Sequence, residues 1–176
     1  MRSRAREATA SRIWEASPSW PPTTDIRRAL IGTNSWNMNV NEAEVEVRTK
    51  HELDIVDITD IVQKVVSNYG VKNGIVNVFV PGSTGAITTI EYEPGLLKDL
   101  PSALDRIAPR DVPYEHEKMW HDGNGHSHVR AAVIGPSITV PVSGGRLRLG
   151  TWQQLVFVEL DTRPRNRRIV VTCIGD

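Results

Sequence analysis

Ser137-Ile-Thr-Val-Pro-Val-Ser-Gly-Gly-Arg-Leu-Arg-Leu149 decides the architecture of this chain. Ser137 to Val142 and Arg146 to Leu149 are two short strand-like runs. Between them Ser143-Gly144-Gly145 forms a hairpin turn, because glycine reaches the positive φ that tight hairpins need. Further along, Gln153 to Leu160 and Arg168 to Ile174 carry the β-branched and aromatic residues of strands, and Val129 to Ile134 before the hairpin has the same character. The last third of the chain is therefore expected to be antiparallel β.

Towards the N-terminus the pattern changes. Glu42 to Thr49 alternates polar and apolar residues, the period of a half-buried strand, and Glu52 to Asp57 continues it after a turn, so the two are expected to form a hairpin. Thr59, followed by Ile61, Val62, Val65, Val66 and Tyr69 and closed by Gly70, has a cap, one apolar face at helical spacing and a terminating glycine. Gly74 to Val80 is a buried strand, Ala86 to Glu93 another, with the loop Pro81-Gly-Ser-Thr-Gly85 between them. Pro94 opens a second helix through Leu96, Leu97, Leu100, Leu104 and Ile107, which Pro109 stops. Two main helices among runs of strands, without strict βαβ alternation, give an α+β class: a single domain with a mostly antiparallel or mixed sheet.

Residues 1–40 stand apart. Arg2, Arg4, Arg6, Arg12, Arg27 and Arg28, three of the five tryptophans, and the breaker cluster Ser17-Pro18-Ser19-Trp20-Pro21-Pro22 show no sustained period. They read as a disordered tail or as an extension from a start assigned too far upstream, leaving residues 41–176 as the domain. With 176 residues one domain is the expectation, and 21 basic against 21 acidic residues give no electrostatic reason for a nucleic acid or membrane partner. A single cysteine, Cys173, excludes an internal disulfide framework and a cysteine-rich zinc site, which fits a reducing compartment. No run approaches the roughly 18 apolar residues of a membrane span. A soluble, cytoplasmic protein with a small ligand is expected.

The segment His116 to His128 holds four of the five histidines. Imidazole is the commonest metal ligand and titrates near neutral pH, so this crowding marks a candidate site. On an extended segment His126 and His128 would share a face, and His116 or His121 could converge on them to leave an open fourth position at a divalent metal. Asp122-Gly-Asn-Gly125 would let backbone approach a ligand, with Asp122 orienting an imidazole. A solvated glycine-rich loop that merely contains histidines is the plainer alternative. Glu91 and Glu93, two apart on a strand, could supply a general base or ligand, or could be surface carboxylates. Gly82-Ser83-Thr84-Gly85 offers hydroxyls and backbone N–H groups to an anion. Arg146, Arg148, Arg163, Arg165, Arg167 and Arg168 could bind phosphate or simply be solvated, and Cys173 reads as inert packing.

Phe79 to Glu93, His116, Asp122-Gly-Asn-Gly-His-Ser-His128, Gly135-Pro-Ser-Ile-Thr-Val-Pro141 and Gly145-Arg-Leu-Arg-Leu-Gly-Thr-Trp-Gln-Gln154, with Glu159 and Arg165, occur in order across residues 42–174. This set is similar to the YjbQ-like family, whose members are often labelled secondary thiamine-phosphate synthase enzymes. The resemblance implies a compact α+β domain that assembles as a cyclic homotrimer, with a polar pocket near subunit interfaces. It implies His116, His126 and His128 as pocket histidines and candidate ligands of a divalent metal, zinc or magnesium. Glu91 is implied as the carboxylate, with Glu91, His116 and His128 catalytic, and Ser83, Thr84 and Asn124 as contacts to a small phosphorylated metabolite. His121 is left a bystander.

The implied reaction joins hydroxymethylpyrimidine diphosphate to thiazole phosphate, releasing pyrophosphate. A non-catalytic binding trimer and a metal-dependent phosphate-ester hydrolase would use the same residues. One departure stands out: many members read His-Thr-Thr-Ala where this chain has Gly82 to Gly85, and Asn-Glu where it has Ile90-Glu91.

Overall fold

The computed structural model describes residues 38–176, so the N-terminal extension lies outside the described residues up to position 37. Eight strands and four helices follow in the order β1 (Asn39–Arg48), β2 (Ile55–Asp57), α1 (Thr59–Tyr69), β3 (Asn73–Phe79), β4 (Gly85–Ile90), α2 (Leu96–Ile107), α3 (Glu115–Trp120), α4 (Gly125–Ile134), β5 (Ser137–Ser143), β6 (Arg146–Leu147), β7 (Gln154–Glu159) and β8 (Asn166–Gly175). Two sheets result, β1-β8-β3-β5-β6 and β2-β7-β4. Every pairing among them is antiparallel. The fold is α+β, as the sequence pattern predicts.

The sheets sandwich one core and share a second with the helices. Val47, Val76, Val78, Ile169 and Val171 from the larger sheet meet Val62 and Val66 of α1 and Leu155 and Phe157 of β7. The other face of the smaller sheet, Ala86, Val156 and Val158, packs on Leu104 of α2 and Ala131 of α4. β7 is thus buried on both sides, which is why its sequence is a continuous apolar run rather than an alternating one.

Several local expectations change. β1 and β2 do not form a hairpin: β1 pairs with β8 and β2 with β7, so each half of the early sequence joins a different sheet. Thr59 is the first residue of α1 rather than its cap, and its N–H is taken by Asp57 Oδ1 at 2.9 Å. Gly70 does close that helix, at φ +70°. β4 ends at Ile90, which removes Glu91 and Glu93 from a shared strand face. Glu93 instead caps α2, accepting from Gly95 N–H at 2.6 Å and from Leu96 N–H.

The largest change is at Val129–Ile134, which belongs to helix α4 and not to a strand. Its two valines face outward, Val129 40% and Val133 56% exposed, while His126, Ser127 and Arg130 are buried. Polarity is inverted relative to an ordinary amphipathic helix, so hydrophobic periodicity misreads it. Among the described residues no helix is long and apolar enough to cross a membrane.

Candidate functional site

The site is built where the ends of four strands meet the starts of α3 and α4. At its base lies Glu159, the last residue of β7 and fully buried. A buried carboxylate must be paired, and Arg167 supplies a two-pronged partner, with Nε 2.8 Å from Oε2 and Nη2 2.5 Å from Oε1. Thr49 Oγ1 donates to Oε2 at 3.1 Å and Asp161 N–H to Oε1 at 2.9 Å.

Asp161, 4% exposed, stands beside this pair. Its Oδ2 accepts from Arg165 Nε at 3.1 Å, Arg165 Nη2 at 2.8 Å and Thr84 Oγ1 at 3.2 Å. Burial alone would raise the Asp161 carboxyl, but hydrogen bonds and charge from Arg165, with Thr84, outweigh it and hold the group below the usual carboxylate range.

Above this base sit two of the sequence-predicted histidines. The rings of His116 on α3 and His128 on α4 lie 4.4 Å apart between centroids, tilted by 42°. His116 Nε2 is 3.5 Å from Asp122 Oδ1. The His128 imidazole is lowered from its ordinary value by burial and then by the charge of His116, while Asp122, Asp161 and Glu117 pull the other way. The charge of Asp161 reaches His128, so the base lies within electrostatic range of the histidine pair.

The loop leading into α4 is held by Glu117, which accepts from Gly123 N–H at 2.6 Å and Gly125 N–H at 2.7 Å. Gly125 admits no side chain, since a Cβ there would meet Tyr114 Cβ at 2.5 Å. Because Glu117 takes the capping role, Asn124 makes no side-chain cap bond. His116 Nε2, Asn124 Oδ1 and Ser127 Oγ are buried without a hydrogen-bond partner among the described residues. Each such atom costs about 1–3 kcal/mol unless something satisfies it, so three in one short run mark a place prepared for a polar ligand or water.

Other predicted residues are distributed differently. His126 is not part of this pair: two residues from His128 on a helix it points about 200° away, and its Nε2 meets Glu52 Oε1 at 2.8 Å. A three-histidine metal centre needs all three nitrogens within about 2.0–2.1 Å of one point. Among the described residues no three His, Cys, Asp or Glu side chains group in that way. The single chain does not fit such a centre.

Thr84 Oγ1 is committed, donating to Asp161 and accepting from Arg167 Nη2 at 3.0 Å, whereas Ser83 is exposed. Gly82 lies at φ +134°, a backbone conformation that histidine rarely adopts. Glu91 is exposed beyond the far end of β4, roughly 20 Å along the strand from Thr84. His121 is an exposed left-handed cap of α3 at φ +54°. Cys173 is buried, and burial pushes its thiol up, consistent with inert packing.

Sequence reasoning passed over Asp161, Glu52 and Arg130. A signal existed for the first: Leu155-Val-Phe-Val-Glu-Leu-Asp161 places two carboxylates at the end of an otherwise apolar buried run, which demands cationic partners. For Glu52 and Arg130 there was none, because they are 78 positions apart.

Comparison with known proteins places this geometry in context. The YjbQ family, described as UPF0047 protein YjbQ-like, matches residues 43–176. A UPF0047 protein of Methanothermobacter thermautotrophicus is 45% identical over 138 residues, covering 78% of this chain and 94% of the relative. The UPF0047 protein YugU of Bacillus subtilis is 32% identical over 133 residues, 74% of this chain and 97% of its own length. Among solved structures, a YbjQ-like protein of unknown function from Sulfolobus solfataricus P2 superposes with a TM-score of 0.76 at 36% identity, covering 80% of this chain and 100% of that one. A YjbQ/UPF0047-family protein from Clostridium acetobutylicum gives a TM-score of 0.69 at 34% identity, with 74% and 98% covered.

Proposed function

This chain belongs to the YjbQ-like UPF0047 family, and from that premise we propose that it binds a small phosphorylated metabolite at the His116–His128 pocket. There it promotes transfer with diphosphate as the leaving group, the thiamine-phosphate synthase reaction. The observation that carries the reading is the half-buried histidine pair, in a short run where the atoms His116 Nε2, Asn124 Oδ1 and Ser127 Oγ are all buried without a hydrogen-bond partner among the described residues. These are donors and acceptors without protein partners, next to a base of fixed charge.

In this reaction the bond between the pyrimidine methylene carbon and the diphosphate oxygen breaks. The thiazole nitrogen forms the new C–N bond, and diphosphate leaves with the electron pair. Negative charge builds on the leaving oxygens, so N–H donors fixed there lower the barrier. His116 donates to the departing group and His128, neutral near pH 7 because its imidazole is lowered, donates a second N–H. Ser83 and Asn124 hold the phosphate ends. The divalent cation implied by resemblance, zinc or magnesium, is assigned no step, because His126 is committed to Glu52.

Glu91 enters from a neighbouring copy in a cytoplasmic homotrimer. Two observations favour this: Glu91 lies a strand length from Thr84 of its own chain, and Val129, Ala132 and Val133 form an exposed small apolar stripe on α4. A second reading, ligand binding without turnover, is favoured by Gly82, where the chain has no side chain to offer.

The test is pyrophosphate release by purified protein given both substrates, together with the His116→Ala, His128→Ala and Glu91→Gln variants. Release that requires both substrates, is lost in each variant and is partly regained on mixing Glu91→Gln with His128→Ala chains supports the proposal. Release from the diphosphate alone means hydrolysis, and bound substrate without release means a binding protein.

A further inference from the structure

We infer that Glu52 is the positioning residue of the histidine pocket: through His126 and Arg130 it locks α4 in the rotation that brings His128 against His116. Glu52 lies outside the pocket, in the β1–β2 loop, and its side chain is 11% exposed. Its Oε1 meets His126 Nε2 at 2.8 Å and Arg130 Nη1 at 3.2 Å, and its Oε2 meets Arg110 Nη1 at 3.0 Å. His126 and Arg130 stand four apart and so share one face of α4, with side chains 2% and 1% exposed. Arg130 continues to α2, where Nε donates to Ala108 O at 3.0 Å and Nη2 to Asp105 Oδ1 at 2.5 Å.

What gives this assembly its weight is that α4 packs little apolar surface on the core of its own chain. Ala131 is the one apolar side chain that α4 buries and Ile134, at its end, is only partly covered by the same core, whereas Val129 and Val133 are exposed on their own chain. Within one chain, burial of those two valines would favour turning the helix the other way. The polar contacts hold it against that tendency. A rotation of one residue, about 100°, would take His128 off His116.

The anchor is itself braced. Leu53 is held at φ +61°, an uncommon conformation for a leucine, by its N–H to Glu159 O at 2.7 Å, and Asp54 O accepts from Glu159 N–H at 2.9 Å. Glu52 and the buried base of the pocket are therefore registered to the same residue of β7.

The geometry stands alone; the effect on ligand rests on the proposed phosphate pocket, so two readouts are needed. In Glu52→Ala the imidazole Cε1–H resonances of His116 and His128, recorded at the same pH in wild type and variant, are expected to lose the mutual ring-current displacement and move to solvated positions. Inorganic pyrophosphate affinity is expected to fall by about tenfold to 100-fold, the usual penalty of a misplaced group. Val62→Ala, in the other core, lowers stability and is expected to move neither readout. Unchanged histidine resonances in folded Glu52→Ala overturn the inference. Should that variant not fold, Arg130→Lys, which keeps the charge but loses the fork, is expected to move the same resonances, and their constancy overturns it equally. Moved resonances in a protein whose wild type binds no pyrophosphate would support Glu52 as positioning residue while rejecting the phosphate pocket.

Discussion

Arg167→Met should be among the most damaging single substitutions in this domain that touch no apolar core residue. Glu159 is fully buried, and two of its four hydrogen bonds come from Arg167. Methionine fills much of the volume but leaves a buried carboxylate facing only Thr49 Oγ1 and the Asp161 N–H. Removing one partner of a buried ion pair costs about 3–5 kcal/mol, because the remaining charge keeps its full desolvation penalty. For a domain of this size that is a fall in melting temperature of roughly 10–15 °C, at about 3 °C per kcal/mol. The pair itself contributes much less than the single variant suggests. Replacing both members, Glu159→Leu with Arg167→Met, should recover at least about 2 kcal/mol, the residue of the loss being the unpaired Asp161 N–H. Urea and thermal unfolding at fixed protomer concentration measure both quantities. A loss under about 1 kcal/mol in the single variant, or a double variant no more stable than the single one, would refute the reasoning.

Other expectations follow from individual contacts. Asp161 is lowered in the folded state, so its contribution to stability is complete above the unfolded value near 3.8 and is lost as pH falls through the folded value. His128, also lowered, acts oppositely: it destabilises the fold at acid pH, and stability should rise as pH climbs from its folded value to about 6.5, a rise that His128→Gln abolishes in pH-dependent melts. Placing a histidine in this loop with Gly82→His should lower stability by about 1–3 kcal/mol, since the backbone there is at φ +134°; an unchanged melting temperature would show that the loop relaxes at no cost. Glu93→Ala removes the cap of α2 and should cost about 1 kcal/mol by chemical denaturation without altering pyrophosphate binding.

How far the sequence could be read depends on where the information is local. The β5–β6 hairpin, β7 and α1 were legible because their signals are turn glycines, β-branched runs and an apolar face, all within a few residues. The α4 helix was not: its inward face is polar, with His126 and Arg130 paired to Glu52 and Asp105, which are remote in sequence, and its valines point outward. The same remoteness hid the separation of His126 from His128. Two histidines at a spacing of two share a face on a strand and oppose one another on a helix, so the assignment of the segment decided the assignment of the site. His116 and His128 could be singled out because imidazole crowding is local and chemical. Glu93 was misjudged because a carboxylate three residues before a helix reads equally as a strand-face residue.

The central claim, a phosphate-binding pocket at His116 and His128, is tested most directly by calorimetric titration of inorganic pyrophosphate into the wild-type protein and into His128→Ala. The account predicts one saturable site per chain in the wild type, weakened at least about tenfold in the variant by loss of a hydrogen bond to a charged group. Absence of saturable binding in the wild type, or equal affinity in the two proteins, would contradict it.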